Sequence, residues 1–466
     1  MIEGLKPYPE YKDSGQLWLG DVPLHWAPLP NRALFDEVKD KNHPDAEMLS
    51  VTIKRGILPQ KELLAGTSKK DSSNSNKSAY KLLCPGDIAY NKMRAWQGAF
   101  GRSDYRGIIS PAYVVIRPRE DASSRFFHHL YRTPTFAKEA ERWSYGIASD
   151  MWSLRPEHFK VIGSVLPPPE EQAAIVRFLN HANRKIDRFI HTKRKLIALL
   201  NEQRQSIIHR AVTQGISPDV PMKPSGVDWL GDIPKHWDVL RAKYLFREID
   251  ERSKTGKEEM LSVSHITGVT PRSEKNITMF KAASNIGHKV CRPGDLAINT
   301  MWAWMAALGF SNHLGVISPA YAVYRQQKPE RLLSSYGDLL LRTETYKANY
   351  LSRSTGIRAS RLRLYPEQFL RIPILVPPKS EQEAIVHQLE GETRTLDAGI
   401  DRASREIKFM QEFRTRLTAD IVTGKLDVRE AAKDLPDLSE TVETASEADM
   451  PGDEFLEESE LEEVNE

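Results

Sequence analysis

The sequence contains two copies of one long unit, offset by roughly 210 residues. Leu19 to Trp26 (LGDVPLHW) returns as Leu230 to Trp237 (LGDIPKHW), and Gly107 to Tyr113 (GIISPAY) returns as Gly315 to Tyr321 (GVISPAY). A unit of this length is a whole domain, because solenoid repeats are only about 20 to 50 residues long. The chain is therefore predicted to fold as two tandem domains of one architecture, which bind two related targets.

Each copy mixes short β-rich runs with helical pieces. In the first copy the β-rich runs are 48–53, 87–91 and 112–116, and the helical pieces are 124–132 and 135–142. This pattern predicts an α+β class, with a first globular domain at residues 1–166 and a second at 216–376. Further matches keep the same order in both copies: MLSV at 48–51 and 260–263, PGD at 85–87 and 293–295, and EQxxIV at 171–176 and 381–386.

A long amphipathic segment follows the proline run that closes each domain. Apolar residues recur there at spacings of four and three, as in Ile175, Leu179, Ala182, Ile186, Phe189 and, after Lys193, Leu196, Leu200 and Ile207. The second copy has Ile385, Leu389, Leu396, Ile400, Ala403, Ile407, Met410, Leu417 and Ile421. We expect spacer helices at 167–215 and 377–424, stopped at Gly215 and Gly424.

These helices are too long to pack only on their own domains. About 44 residues at a rise of about 1.5 Å extend about 65 Å, well beyond a domain of about 150 residues. The stripe therefore predicts an antiparallel coiled coil between the two helices, with a closed, pseudo-twofold arrangement of the domains. Such a spacer would hold two domains about 50 to 70 Å apart, or about 15 to 20 base pairs of duplex.

The formal net charge of +3 hides a strong asymmetry. Residues 427–466 contain 16 Asp and Glu against Arg429 and Lys433, a net charge of −14, so residues 1–426 carry 64 basic and 47 acidic residues, a net charge of +17. A polycationic body attracts polyanions, most commonly nucleic acid; a generic basic enzyme is the alternative. Residues 425–466 are predicted to form a disordered acidic tail.

Several classes of protein fit the sequence poorly. No apolar run approaches the ~18 residues of a membrane span, and the first residues do not form a signal peptide. Only Cys84 and Cys291 are present, which favours a reducing cytoplasm. The histidines lack metal-ligand spacing, and we find no amino-methylation motif, phosphate loop, zincin motif or dinucleotide fingerprint. An active site in this chain is therefore not expected.

The ordered set of repeated motifs resembles the specificity (S) subunits of type I restriction-modification systems over residues 15–424. That resemblance implies a non-catalytic, DNA-binding subunit with two target recognition domains, each reading one half of a bipartite sequence. It also implies two methyltransferase (M) and two restriction or motor (R) subunits as partners. S-adenosylmethionine, ATP and Mg would then be needed by those partners, and no cofactor by this chain. Two alternatives remain: a nuclease or methyltransferase with unrecognised motifs, and a coiled-coil scaffold.

Positions that differ between the copies are candidates for DNA contact, since residues that build the fold should be shared. Over residues 91–96 the two copies share an alternating frame of Asn, Met, Ala and Trp, whereas Lys92 and Arg94 are replaced by Thr300 and Trp302. The methionines are expected to pack, and Trp96 and Trp304 to be core aromatics or groove contacts. The full set of candidates is Lys54, Arg55, Lys69, Lys70, Lys77, Lys92, Arg94, Trp96, Tyr145, Arg272, Lys275, Trp302, Trp304, Arg358 and Arg361.

Overall fold

The structure is a computed structural model that describes residues 5–64, 77–146, 152–274, 284–356 and 362–436. These residues divide into two compact units. Unit 1 holds the described residues within 5–192 and 405–436, and unit 2 holds those within 193–404. Each unit therefore combines one globular domain with one half of each long helix. No helix in the described part of the chain is long and apolar enough to cross a membrane.

Unit 1 begins with twelve short strands and five short helices. The strands are β1 (Tyr11–Asp13), β2 (Asp21–Pro23), β3 (Ala27–Pro30), β4 (Phe35–Val38), β5 (Leu49–Thr52), β6 (Gly56–Pro59), β7 (Lys81–Leu83), β8 (Ile88–Asn91), β9 (Phe100–Arg102), β10 (Gly107–Ile109), β11 (Tyr113–Pro118) and β12 (Gly163–Leu166). The helices are α1 (Asn31–Leu34), α2 (Gln60–Leu64), α3 (Ser124–Tyr131), α4 (Pro134–Arg142) and α5 (Pro156–Val161). The long helix α6 follows at Pro169–Gln214.

Unit 2 repeats the order of strands, with 3-10 turns at Ala242–Tyr244 and Arg272–Glu274 where unit 1 has α1 and α2. Its strands are β13 (Met222–Pro224), β14 (Asp232–Pro234), β15 (Asp238–Arg241), β16 (Phe246–Ile249), β17 (Leu261–Ser264), β18 (Gly268–Pro271), β19 (Lys289–Cys291), β20 (Leu296–Ile298), β21 (Leu308–Phe310), β22 (Gly315–Ile317), β23 (Ala322–Gln326) and β24 (Pro373–Val376). Its helices are α7 (Ser334–Leu341), α8 (Glu344–Arg353) and α9 (Pro366–Phe369), and the long helix α10 follows at Lys379–Val422. The short helix α11 (Arg429–Ala432) lies in unit 1.

The two units have the same sheet topology. A four-stranded antiparallel sheet has the order β4-β11-β8-β9 in unit 1 and β16-β23-β20-β21 in unit 2. In both, the strand directly after the opening motif pairs with the last strand of the globular domain, β3 with β12 and β15 with β24. The predicted α+β class and the predicted strands and short helices are confirmed.

Each Pro-Gly-Asp segment places a buried carboxylate in an ion pair at the sheet. Asp87 is buried, and its carboxylate accepts from Arg117 at 2.7 and 3.0 Å and from the Cys84 backbone N–H at 3.1 Å. Asp295 forms the same bidentate pair with Arg325, at 2.8 Å for both hydrogen bonds. Bidentate pairing of this kind satisfies the buried carboxylate, and it raises the pKa of both arginines. This repeated motif therefore supports the fold.

The long helices pack together in both units. In unit 1, Arg414 on α10 forms an ion pair with Asp187 on α6, and in unit 2, Arg204 on α6 binds Asp397 on α10 at 2.8 Å. The apolar stripe is less completely buried than its period predicts, since the side chain of Leu196 is 41% exposed. One partner helix covers only about three residues in every seven of a helix. Apolar residues at the margin of a wider stripe, such as Leu196, therefore stay partly exposed.

The ends of the long helices complete the cores of the globular domains. The core of unit 1 includes Leu417, Ile421 and Val422 near the end of α10, and the core of unit 2 includes Ile208 and Val212 near the end of α6. Both helices stop at the predicted glycines, which adopt left-handed backbone conformations with φ of +82° at Gly215 and +80° at Gly424. A Cβ at Gly424 would lie 2.3 Å from Pro23, so only glycine fits there.

The prediction of disorder from residue 425 is wrong for the first part of the acidic segment. Val428 and Ala432 are buried in the core of unit 1, and the Asp427 N–H donates to the Lys6 carbonyl at 2.8 Å. The Arg429 guanidinium lies 5.2 Å from the Tyr8 ring centroid. Two apolar side chains at the right spacing are enough to anchor a short helix when a packed surface is available. Residues 437–466 lie outside the described residues.

A buried glutamate joins each long helix to the opening motif of its domain. In unit 1, Glu171 accepts hydrogen bonds from the Tyr8 hydroxyl and, at 3.0 Å, from the Trp26 indole N–H, and its second oxygen lies 2.7 Å from Nε2 of His25. Burial is the main cause, and the hydrogen bond to Glu171 the second, of a pKa of Tyr8 well above its usual range. The Leu-Gly-Asp-x-Pro-x-His-Trp and Glu-Gln motifs are thus two halves of one contact, which we call the glutamate clamp.

Unit 2 contains the same clamp with fewer donors. Glu381 accepts from the Trp237 indole N–H at 3.1 Å and lies 2.6 Å from Nε2 of His236. Its side chain is 19% exposed, whereas that of Glu171 is 4% exposed. A carboxylate that keeps part of its hydration loses less when its partners are removed.

The glutamine after each clamp residue ties the helix start to the domain. In unit 1 the Gln172 side chain accepts from the Ser123 N–H at 2.8 Å and donates to the carbonyls of Asp121 at 2.9 Å and Pro167 at 2.7 Å. In unit 2 Gln382 makes the same three hydrogen bonds. Because both glutamines are fully buried, these bonds fix the direction in which each long helix leaves its domain.

Substitution of the clamp residues should affect the two units unequally. We expect Glu171→Ala to destabilise unit 1 by about 3 kcal/mol, because it leaves the buried Trp26 and Tyr8 donors without an acceptor. The matched variant Glu381→Ala should cost unit 2 only about 1 to 2 kcal/mol. Hydrogen exchange resolved by peptide would measure both effects. Equal losses in the two units would show that donor number and burial do not set the strength of the clamp.

Two neighbouring histidines on α3 make unit 1 sensitive to acid. Nδ1 of His128 accepts from the Arg102 backbone N–H at 3.1 Å, so that nitrogen carries no proton. Burial, with a smaller contribution from Arg132, lowers the pKa of His128 well below its usual range and that of His129 to about 4. At the position of His128, unit 2 has Asp338, which accepts from the Phe310 N–H at 3.3 Å.

Lowering the pH should therefore weaken unit 1 through these histidines. A pKa that folding lowers gives stability that is complete above about pH 6.5 and is lost as the pH falls toward the folded value. At pH 5.5 we expect His129 alone to reduce the free energy of unfolding by about 1 kcal/mol relative to pH 8. Hydrogen exchange of α3 and its neighbours at the two pH values would measure this. In His128→Gln/His129→Gln this pH dependence should shrink, and an unchanged profile would rule out the histidines as its source.

Candidate nucleic-acid interface

A tight turn after β8 carries three of the candidate residues. The Asn91 side chain accepts from the Met93 N–H at 3.0 Å, and the Trp96 indole N–H donates to the Met93 carbonyl at 3.0 Å. Buried Ala95 leaves no room for a larger side chain. The residues shared by the two copies therefore build the turn, and Lys92 and Arg94 lie on it without being part of that frame.

Unit 2 builds the same turn after β20. The Asn299 side chain accepts from the Met301 N–H at 3.2 Å, and the Trp304 indole N–H donates to the Met301 carbonyl at 3.0 Å. Ala306 adopts φ of +61° where the first copy has a glycine, which an alanine tolerates only at some cost. Trp302 stacks on Trp304 with ring centroids 5.8 Å apart and planes 23° apart.

The expectations for methionine and tryptophan in this turn need correction. The Met93 side chain is 45% exposed and Met301 is partly exposed, so neither is a buried packing residue. Trp96 and Trp304 are also partly exposed and lie outside the hydrophobic cores. The turn holds its side chains by hydrogen bonds to the backbone instead of by burial. Both tryptophans therefore lie at the surface, where a groove contact remains open to them.

A second segment lies against this turn in each unit. Tyr145 and Ser153 form an isolated β-bridge, and the Leu154 N–H donates to the Lys92 carbonyl at 2.9 Å. Trp152 packs edge-on against Trp96, with ring centroids 5.6 Å apart. Tyr145 is exposed. The structure therefore brings Lys92, Arg94, Trp96 and Tyr145 into one neighbourhood.

The equivalent neighbourhood in unit 2 has different chemistry. Thr355 and Arg363 form the bridge, and the Leu364 N–H donates to the Thr300 carbonyl at 2.8 Å. The structure thereby gathers Trp302 and Trp304 beside Arg363, which sequence comparison did not single out. The candidates Arg358 and Arg361 lie outside the described residues.

Lys54 and Arg55 lie on a different element, the turn of the β5–β6 hairpin. Arg132 holds that turn by donating to the Lys54 carbonyl, and it also donates to the Phe100 carbonyl at 2.8 Å. In unit 2, Arg342 holds the matching β17–β18 turn through the carbonyls of His265 and Ile266, at 2.6 and 2.7 Å. A partly buried arginine therefore positions each hairpin turn through backbone carbonyls. The side chains of Lys54 and Arg55 on the first turn remain exposed.

The remaining candidates are scattered. Lys77 is partly exposed and precedes β7, and Arg272 begins a 3-10 turn directly after β18. Lys69, Lys70 and Lys275 lie outside the described residues. Among the described residues, no group of three or more His, Cys, Asp or Glu side chains is placed to hold a metal ion.

Comparisons with known proteins bear on the fold. No protein-family model matches the chain, and no curated protein matches it. One solved structure, from a study of complex assembly and conformational transition of the type I R-M system, is 16% identical, covers 86% of this chain and 98% of its own, and gives a TM-score of 0.59. The chain has the fold of a type I restriction-modification protein. The family resemblance seen in the motifs is thereby confirmed at the level of the fold.

Two further solved chains are similar to this type I fold over most of its length. An HsdS subunit from Thermoanaerobacter tengcongensis is 16% identical, covers 86% of this chain and 96% of its own, and gives a TM-score of 0.39. A type I restriction-modification system S subunit from M. genitalium is 13% identical, covers 89% of this chain and 97% of its own, and gives a TM-score of 0.32.

Proposed function

We propose that this chain is the non-catalytic specificity subunit of a type I restriction-modification complex. It binds duplex DNA and reads a bipartite target, one half-site with each globular domain. The observation that carries the proposal is the shared frame of the turns after β8 and β20, which hold different side chains in the same place: Lys92 and Arg94 in one, Thr300 and Trp302 in the other. Lys92 is partly exposed and Arg94 is exposed, whereas Thr300 is buried and donates to the Ala320 carbonyl at 3.0 Å. The second frame therefore presents Trp302 in place of two cations, and frames that present different side chains suit recognition of two different base sequences.

The proposed partners follow from this role. Two methyltransferase and two restriction or motor subunits would bind the chain and supply catalysis, with S-adenosylmethionine, ATP and Mg bound by them. The spacer helices α6 and α10 would form an antiparallel coiled coil that sets the distance between half-sites. Support comes from the two interhelical ion pairs, since residue numbers rise along α6 from Asp187 to Arg204 while those of their partners fall along α10 from Arg414 to Asp397.

Exchange of one domain tests whether each copy reads its own half-site. Replacing residues 27–160 with the equivalent part of another specificity subunit should change one half of the methylated sequence and leave the other half and the spacer intact. The physical reason is that each domain has its own core and its own turn. Single-molecule sequencing of methylated adenine in cells that express the complete system provides the measurement. A swap that altered both halves would contradict the proposal.

Matched shortening of the helices tests the spacer. The register of the two ion pairs would place residues 402–408 opposite 193–199, so deletion of both segments keeps the pairing. Each deletion removes about 10 Å at a rise of about 1.5 Å per residue, and the methylated spacer should shorten by about three base pairs with both half-sites unchanged. The single deletion of 193–199 serves as the mismatched control and should impair activity. An active double deletion with the original spacer would show that the helices do not set the distance.

A further inference from the structure

Strand β7 of unit 1 brings four lysines together. The Lys81 ammonium donates to the Tyr113 carbonyl, and Tyr113 pairs across the sheet with Asn91, the residue before Lys92. On the other side, the Leu82 N–H donates to the Asp40 carbonyl at 2.8 Å, which places residues 39–41 alongside β7. Lys39, Lys41, Lys81 and Lys92 form what we call the lysine cluster. Of these four lysines, only Lys92 is among the DNA-contact candidates that the sequence predicts.

The positive charge of this cluster is only partly compensated. Glu37 lies 3.3 Å from Lys39, but it also binds Lys160 at 2.8 Å. Within the described part of the chain, Lys41, Lys81 and Lys92 form no ion pair. Burial lowers the pKa of Lys81, and the charges of Lys92, Lys41 and Lys39 lower it further, while Glu37 opposes this shift without cancelling it. The fold thus holds like charges near one another, an arrangement that a bound anion would stabilise.

At the equivalent position in unit 2, acidic side chains compensate the charge of the lysine. Lys289 occupies the position of Lys81, and the Val290 N–H donates to the Glu251 carbonyl at 2.7 Å as its counterpart does in unit 1. The Lys289 ammonium, however, lies 3.9 Å from carboxylate oxygens of both Glu248 and Asp250. Asp250 stands where unit 1 has Lys39, and Thr300 stands where it has Lys92. One backbone framework therefore carries an open cationic site in unit 1 and an internally paired lysine in unit 2.

We propose that the lysine cluster binds a DNA backbone phosphate beside the first half-site, and that the second domain lacks this contact at the equivalent position. The inference rests on the proposed function and names an interaction that positions the first domain. A lysine ammonium is a compact point charge suited to phosphate, and phosphate contacts fix register without reading sequence. Because Lys92 belongs both to the cluster and to the turn that carries Arg94, a phosphate held there would place that turn at the groove.

The test uses the full chain and a duplex of about 30 base pairs with an arbitrary sequence, since phosphate contacts are made on any sequence. Binding is measured by fluorescence anisotropy over a series of salt concentrations. For each of Lys41→Gln and Lys92→Gln we expect the slope of log K against log salt to fall by about one, with weaker binding at low salt. Lys81→Gln should behave alike if it folds. The matched control Lys289→Gln should leave the slope unchanged.

The salt-dependence measurements distinguish failure of the phosphate contact from failure of the proposed DNA-binding function. Unchanged slopes in folded Lys41→Gln and Lys92→Gln would overturn it while leaving the proposed DNA-binding function intact, because the wild-type chain would still bind. An equal reduction in Lys289→Gln would overturn the claimed difference between the domains. If the wild-type chain bound no duplex even at low salt, the proposed function itself would fail. Thermal unfolding of every variant separates loss of binding from loss of fold.

Discussion

The glutamate clamp is the interaction on which the rest of the architecture depends. A carboxylate at the base of each long helix, Glu171 in unit 1 and Glu381 in unit 2, accepts from the indole of the tryptophan that ends the opening motif of the domain. A buried carboxylate is costly unless several donors surround it, so the clamp forms only when strand, turn and helix are all in place. It therefore links the direction of each helix to the folding of the domain that precedes it.

The core of each unit is not continuous in sequence. Unit 1 needs Leu417 and Ile421 from near the end of the chain to cover the domain built by its beginning, and unit 2 needs Val212 from the helix that precedes its domain. The physical constraint is the narrow apolar edge that each small domain leaves beside its tryptophan. A helix end fills that edge, and Val428 and Ala432 extend the same apolar cover. Residues 425–436 contain three basic and three acidic residues, so no net charge opposes their packing on unit 1.

The two copies share the interactions that satisfy buried polar groups and differ at exposed positions. The bidentate pair of Asp87 with Arg117 recurs in unit 2 with the same geometry, because loss of the arginine would leave a buried carboxylate unpaired. By contrast, Asp338 replaces His128 and keeps the hydrogen-bond acceptor, and exposed Arg94 becomes Trp302 without change to the turn. Positions that must satisfy a hydrogen bond tolerate any residue that can supply it, whereas exposed positions are free to diverge.

The sequence by itself determined the duplication, the α+β class, the two long helices with their glycine stops and the frame of residues that the two copies share at 91–96. These follow from local rules, since helix period, capping and repeated turn residues act over a few neighbouring positions. Only the tertiary structure decided that Met93 is exposed, that Lys81 joins Lys92, and that Val428 is buried. Those outcomes depend on which distant segments meet, and a one-dimensional pattern does not contain that information. Lys81 on β7 is separated from Lys92 in sequence, and pairing through Tyr113 makes the two residues neighbours.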